Sequence, residues 1–242
     1  MENVPEKIVL AADKRLTEVT LDLSVTHDLF AREGELQLVP MQDAEIYYLP
    51  SLQLPGPADA LLGVLIESTP WRAETVVIWG KSHPQPRLIA WFGDEGQTYT
   101  YSGIRLEPLR WTESLQAIRG EVEHVSETKF NSVLLNYYRD QNDSMGFHSD
   151  DEPELGPNPV IASVSLGEQR TFILKHNTRK DLKSVKLSLA SGSLLVMKGE
   201  TQRHWKHGID KESRSCGPRV NLTFRRILPR LRKSAIERYP AR

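Results

Sequence analysis

The sequence predicts a mainly β protein with flanking helices, an α+β arrangement whose later strands close into a sandwich or barrel of jelly-roll type. Three observations carry that expectation. After residue 130 the chain reads largely as short runs rich in β-branched and aromatic residues, "NSVLLNYYRD", "PVIASVSLG", "RTFILKH", "SVKLSLASGSLLVM" and "RVNLTFRRIL", parted by Gly-, Pro- and Asn-rich turns. Ahead of them lie two stretches with apolar residues at helical spacing. A chain of 242 residues also suits one sizeable core rather than several independent domains.

Taken in order, the first fifty residues are mixed and mostly polar, with brief extended pieces such as "GELQLVP" and "AEIYYLP" and no nameable chemistry. Over 58–67, "ADALLGVLIE" sets Leu61, Leu62, Leu65 and Ile66 on a buried stripe in spite of Gly63, and the Pro70–Trp71 step ends that helix. Residues 75–103 join "TVVIWGK", the Pro-rich "SHPQPR" and "LIAWFGDEGQTYTYSG", a texture that fits two short strands with long loops. Over 111–126, Leu115, Ile118, Val122 and Val125 step by three, four and three onto one face of a second helix, placed to back a sheet. The tail after 228 is short and basic, and repeats or low-complexity tracts are absent.

Charge is nearly balanced, 31 Lys plus Arg against 32 Asp plus Glu, so any surface for a polyanion must be local. The single cysteine, Cys216, makes no intrachain disulfide, and "MENVPEKIVLAADKR" lacks the basic start and apolar core of a secretory signal. No run approaches the ~20 apolar residues of a membrane span. The expectation is a soluble intracellular protein, cytoplasmic or, in a eukaryote, nuclear, with no membrane partner and acting as a monomer.

The densest chemistry is "GFHSDDEPEL", one histidine and four acids in ten positions. In an extended strand, side chains two apart point the same way with Cα atoms roughly 6.6 Å apart, so His148 and Asp150 can grip one ion. Taken alone, such a pair reads as a hydrated acidic loop. A third ligand is on offer in "GETQRHWKHGID", where His204 and His207 are three apart, face opposite ways in an extended segment, and leave only one looking into a shared site. Two histidines and a carboxylate on one side of an ion leave positions open, the arrangement suited to non-heme Fe(II), whereas structural zinc takes four closed ligands richer in Cys.

In "RVNLTFR", Arg219, Asn221, Thr223 and Arg225 share one strand face while Val220, Leu222 and Phe224 fill the other. The bland reading is a wet outer face. The sharper one turns both arginines inward, which needs anions; their Cα atoms, about 20 Å apart at ~3.3 Å per residue, suit the two ends of a small dicarboxylate better than one anion. Asn136 and Tyr138 in "LLNYYRD" repeat the same-face logic with groups that hydrogen-bond a carboxylate.

Together, "NYYRD", "HSDDE", "PVIASVSLG", "GSLLVM", "HWKHGI" and "PRVNLTFR", in this order and separation, resemble the AlkB family of Fe(II)- and 2-oxoglutarate-dependent nucleic-acid dealkylases, over about residues 75 to 228. "VIWGK", "PR", "TYTYSG" and "HSDDE" are most similar to members that repair duplex DNA. The resemblance implies a double-stranded β-helix (jelly roll) over 129–228, preceded by an extension with a helix (1–74) and a nucleotide-recognition lid with its supporting helix (75–128), and followed by a basic tail (229–242). It implies that His148, Asp150 and His207 hold Fe(II), with His204 an outer neighbour. It also implies that Arg219, helped by Asn136 and Tyr138, pairs with the distal carboxylate of 2-oxoglutarate, and that Arg225 lies near its chelating end. Bidentate pairing suits arginine to that work better than lysine.

The activity implied is oxidation of an N-methyl group on DNA, with O2 and 2-oxoglutarate converted to succinate and CO2 and with formaldehyde released; 1-methyladenine and 3-methylcytosine carry the methyl on the pairing edge and are cheap to extrude. Trp79 stands where such enzymes place a wedge that fills the stack after base flipping, although a lone Trp is more often a packing residue. Tyr99, Tyr101 and Ser102 resemble residues enclosing the flipped base, and Glu152 an acid that reads it; the bland reading is a hairpin with an aromatic face. The segment 175–186, "KHNTRKDLKSVK", offers basic residues for phosphate contacts, while "DKESRSCGPR" interleaves acids with bases. Alkylated DNA, duplex or single-stranded, is therefore the expected partner; the competing readings are an oxygenase acting on RNA or protein and a β-barrel binding module with a degenerate site.

Overall fold

The computed structural model describes residues 18–21, 35–78, 81–95, 99–101, 104–106 and 108–229. Among the described residues fifteen strands follow in chain order: β1 (Glu18–Leu21), β2 (Gln37–Val39), β3 (Glu45–Leu49), β4 (Arg72–Ile78), β5 (Lys81–Gly93), β6 (Tyr99–Tyr101), β7 (Ile104–Leu106), β8 (Ser132–Tyr138), β9 (Met145–His148), β10 (Ile161–Gly167), β11 (Arg170–His176), β12 (Ser184–Leu189), β13 (Leu194–Lys198), β14 (Trp205–Ile209) and β15 (Arg219–Arg225). Helices α1 (Ala58–Ser68) and α2 (Glu113–Ser126) precede the later strands, and a single helical turn, α3 (Thr201–His204), interrupts them.

The strands assemble into an eight-stranded sheet of order β2-β3-β13-β10-β15-β8-β5-β4, a five-stranded sheet of order β1-β12-β11-β14-β9, and a small β6-β7 ribbon. The alternation of side chains along each strand of the larger sheet then makes two cores. Leu134 and Tyr138 of β8, Ile161 of β10 and Leu195 and Met197 of β13 face the smaller sheet, meeting Phe172, Leu174, Leu187 and Ile209. Val133 and Leu135, Val164 and Leu166, and Leu194 and Val196 face the other way, onto Leu61 and Leu65 of α1 and Leu115, Ile118 and Val122 of α2. The molecule is thus layered as helices, large sheet and small sheet. With both faces of the large sheet covered, its central strands β8 and β10 are buried at all but one position each, and β15 is buried at all seven.

The helices lie where their apolar spacing places them. Thr112 caps α2 by accepting from the Leu115 amide at 3.2 Å, and Glu127 ends it in the left-handed region at φ 52°. Among the described residues no helix is long and apolar enough to cross a membrane.

One segment differs from its sequence expectation. In place of two short strands between long loops, β4 and β5 form a hairpin, and β5 runs for 13 residues, pairing with β8 from Leu88 to Gly93. Pro84 enters the ladder opposite Thr75, directly after a register shift between Ala73 and Thr75; at such an irregularity a missing amide donor is tolerated.

Candidate active site

Strands β9 and β14 pair with His148 opposite His207, so the register of two neighbouring strands, and not the spacing along either, brings these rings together. A register shift between His207 and Ile209 coincides with Gly208, where a Cβ would meet the Met145 carbonyl oxygen at 2.9 Å; only glycine allows the backbones to approach so closely. Asp150 follows two residues beyond the end of β9. The three side chains offer His Nε2 or Nδ1 and carboxylate oxygens that all lie within 4.8 Å of one another. His207 is on β14 and faces in, whereas His204 closes α3 and sits 3.5 Å from Glu200, so only one of that pair serves this site. The helical turn, which extended spacing did not anticipate, makes the separation.

Hydrogen bonding sets the tautomer that a metal needs. Nδ1 of His148 lies 2.9 Å from the Gly146 carbonyl oxygen, which obliges that nitrogen to donate and leaves the Nε2 lone pair free. Nε2 of His148 and Oδ2 of Asp150 are buried without a hydrogen-bond partner, the condition of atoms shaped for an ion. A second cluster, Asp43, His176 and His204, is equally tight but has the opposite chemistry. There Nδ1 of His176 accepts from the Arg179 amide at 2.9 Å, so the ring proton sits on Nε2, 3.4 Å from Asp43 Oδ2. With its lone pair engaged at Nδ1 and the ring proton on Nε2, His176 has no free lone pair to offer an ion.

The electrostatics favour the metal-ready state. Burial alone would raise the Asp150 carboxyl, but the guanidinium of Arg225, then His207 and His148, outweigh it and hold it at about 2; Arg225 Nη2 donates to Asp150 Oδ1 at 2.7 Å. Burial, followed by the neighbouring His148, lowers His207 to about 3, and burial also lowers His148. Both rings are therefore neutral ligands at neutral pH. The linkage has a definite sign. Between the ordinary value of 6.5 and its folded value of about 3, His207 is protonated in the unfolded chain and not in the folded one, so stability falls as pH drops through that window, and Asp150 adds the same sign between 3.8 and about 2. The urea midpoint of metal-free protein is expected to fall from pH 7 to pH 5, with a shallower slope in His207→Gln; parallel slopes would contradict this account.

Strand β15 supplies the cavity floor beside these three residues. Its register sets Arg219 against Tyr138 and Asn221 against Asn136 of β8. Arg219, Asn221, Thr223 and Arg225 line, with Tyr138, His148, Asp150 and His207, a space with an empty volume of ≈ 390 Å³. The wet-outer-face reading of "RVNLTFR" is thereby overturned, because α1 and α2 cover the opposite face and leave neither side of β15 to water. Arg219 donates to Ser165 Oγ at 3.0 Å, yet its Nε and Nη1 are buried with no acceptor. Burial pushes its pKa down, so the pocket has the character of a site built for an anion. Arg225, by contrast, is engaged by Asp150. The side-chain oxygen of Asn136 accepts from Arg87 Nε at 2.8 Å, leaving its amide protons for other acceptors.

Sequence reading missed several residues here. Ser163 and Ser165 alternate with Val164 and Leu166 on β10, a period-two signal of small polar groups inside a buried strand. Phe172, stacked on His207 at 5.1 Å, and Met145, which takes the Tyr138 hydroxyl at 3.6 Å, carried no signal. Of the residues assigned to a base pocket, Glu152 is half-buried just ahead of the 3-10 turn Pro153–Leu155. Tyr99 and Tyr101 lie on β6, where only the backbone is described, and Trp79 and Ser102 fall outside the described residues.

A buried N2O donor set, open on one side and adjacent to an unpaired guanidinium, fits Fe(II) and a dicarboxylate. Comparison with known proteins agrees. The family model described as 2OG-Fe(II) oxygenase superfamily matches residues 45–225. The Mus musculus protein "Alpha-ketoglutarate-dependent dioxygenase alkB homolog 3" is 40% identical over 208 residues, covering 82% of this chain and 72% of that protein. The Mus musculus "DNA oxidative demethylase ALKBH2" is 46% identical over 160 residues, covering 64% and 67% respectively. Among solved structures, "The structure of OsALKBH1" aligns with a TM-score of 0.53 over 79% of this chain and 99% of that one; at 16% identity this likeness speaks to the jelly-roll fold alone. The family model, together with relatives at these identities, establishes that the chain belongs to the AlkB family within the 2OG-Fe(II) oxygenase superfamily, whose enzymes are dioxygenases that use Fe(II), 2-oxoglutarate and O2.

Proposed function

We propose that this dioxygenase dealkylates N-alkylated DNA bases such as 1-methyladenine and 3-methylcytosine, releasing formaldehyde. The observation that carries the reading is the pairing of the open His148–Asp150–His207 cluster with 46% identity to a protein named as a DNA oxidative demethylase. In this reading His148, Asp150 and His207 hold the ion. Iron and 2-oxoglutarate, when bound, activate O2 and supply the oxidising power for hydroxylating the N-methyl carbon.

The chain's own residues position and protect. Arg225 fixes Asp150 and keeps it ionised. Arg219 receives the distal carboxylate, with Tyr138 and Asn136 beside it, and Arg225 borders the end nearer the ion. The burial of all four, at 1–3% exposure, excludes water and strengthens each of these contacts. Segment 75–128 carries the lid and its supporting helix: Trp79 enters the stack, and Tyr99, Tyr101 and Ser102 enclose the flipped base, while Glu152, from outside that segment, reads its edge. Extrusion is cheapest for these lesions because the methyl already blocks pairing.

The test measures formaldehyde and succinate from matched duplex and single-stranded oligonucleotides carrying 1-methyladenine. Wild type is expected to turn over both, and Trp79→Ala to lose on the order of tenfold or more on duplex alone. Equal loss on both strands would remove the wedge. No formaldehyde from either, with 2-oxoglutarate still consumed, would move the substrate to RNA or protein.

A further inference from the structure

Arg170 opens β11 and is one of the two largest fully buried side chains, at 1% exposure, the other being Arg219. The proposed mechanism gives it no task. Its guanidinium does not line the cavity but lies against Tyr138, which does: Nη2 donates to the Asp143 carbonyl oxygen at 2.9 Å and to the Asp210 carbonyl oxygen at 2.7 Å, and Nη1 reaches the Asp140 carbonyl oxygen at 3.4 Å. One residue thus ties the turn after β8 to the segment after β14. Its Cζ also lies over the Tyr138 ring, 5.6 Å from the centroid, while Arg219 lies over the same ring at 5.2 Å.

Two buried guanidiniums around one phenol form a costly arrangement unless counter-charge is near. The available counter-charge is small. The Asp143 carboxylate is already held by Arg139 through two contacts of 2.8 Å, and Glu212, 3.3 Å from Nε, is 36% exposed, so water screens it. Carbonyl oxygens satisfy the donors of Arg170 but do not cancel its charge. Positive potential therefore accumulates at the end of the cavity where Arg219 has two unpaired nitrogens.

We propose that Arg170 is a positioning residue for the oxo-acid co-substrate: it fixes Tyr138 and adds a second buried positive charge behind Arg219, so that the cavity selects an oxo-acid with an anionic tail. The proposal rests on the reading of Arg219 as the distal-carboxylate residue. The electrostatic repulsion that Arg170 exerts on Arg219 is relieved when the dicarboxylate enters, which makes the selectivity a property of the pair.

The experiment is anaerobic calorimetric titration of iron-loaded protein with 2-oxoglutarate and with 2-oxopentanoate, its counterpart with a methyl group in place of the distal carboxylate. Arg170→Met is expected to weaken 2-oxoglutarate binding about tenfold and 2-oxopentanoate less than about twofold, and Arg170→Lys, which keeps the charge, to recover most of the loss. Steady-state rates are expected to show the change in KM for 2-oxoglutarate with kcat nearly unchanged. Glu212→Gln, at a half-exposed position, moves the other way, tightening 2-oxoglutarate about twofold and leaving 2-oxopentanoate alone; it keeps the idea testable if Arg170→Met does not fold. Equal weakening of both ligands, or a Lys variant as impaired as Met, would reduce Arg170 to a structural clamp and overturn the proposal. Arg219→Met separates the two layers: if it keeps the preference for the diacid, the reading of Arg219 fails, whereas loss of preference there with none in Arg170→Met sinks only the inference about Arg170.

Discussion

Asp150→Ala is expected to abolish turnover, with a loss on the order of a thousandfold or more. The carboxylate has two tasks at once. Oδ1 takes the Arg225 guanidinium at 2.7 Å, and Oδ2, buried and without a partner, would serve as the anionic ligand between two neutral rings in the proposed reading. Removing it leaves the ion with two imidazoles and places a buried cation beside it. The metal-free protein is expected to lose about 3 kcal/mol as well, because one partner of a buried ion pair has gone while the other stays. Asp150→Asn keeps an oxygen ligand and the shape but not the charge, so its metal affinity is expected to fall between the two. Formaldehyde release, iron binding and urea melts check the three statements; turnover of Asp150→Ala within tenfold of wild type would exclude it as a ligand.

Arg219→Met is expected to move activity and stability in opposite directions. The side chain is 1% exposed, donates once, to Ser165, and keeps two nitrogens without acceptors. A methionine of similar reach removes that buried cost, so the unfolding free energy from urea melts is expected to hold or rise by about 1–3 kcal/mol. The apparent affinity for 2-oxoglutarate is expected to fall about a hundredfold or more, since a desolvated bidentate carboxylate contact has been lost. Lysine at 219 restores little, having a point charge in place of a planar fork. A variant that is both destabilised and normal for 2-oxoglutarate would show that Arg219 serves the fold alone.

How much of this was legible before folding depends on how local the signal is. The step from His148 to Asp150 is local, as is the alternation of Arg219, Asn221, Thr223 and Arg225, and both survive intact in the cavity. That only one of His204 and His207 faces the site followed from residues three apart diverging; that it is His207 came from the family resemblance, and the helical turn at Thr201–His204 is what separates them. What the strand pattern could not reveal was that β15 is covered on both faces, because Arg, Asn and Thr at alternate positions look the same whether they meet water or a cavity; the distinction comes from α1, more than 150 residues earlier in the chain, packing on β15. Arg170 was invisible for the same reason. It stands first in the strand run "RTFILKH", beside a polar turn, and its burial depends on carbonyl groups contributed by residues 140, 143 and 210. The tautomer contrast between His148 and His176 is likewise set by backbone atoms that no residue pattern exposes.

The position of β9 at the outer edge of the smaller sheet has a consequence for the protein outside its catalytic cycle. It has one neighbour, β14, and an irregular ladder with it, so hydrogen bonds alone hold that margin weakly. An ion bound between His148 at the end of β9 and His207 on β14 works as a staple across this seam. Chelation would then do more than silence the enzyme: it would loosen a four-residue edge strand, and a loosened sheet edge is open to pairing with other strands. The ion, when bound, would then be a rivet at the rim of the sheet as well as a reactive centre.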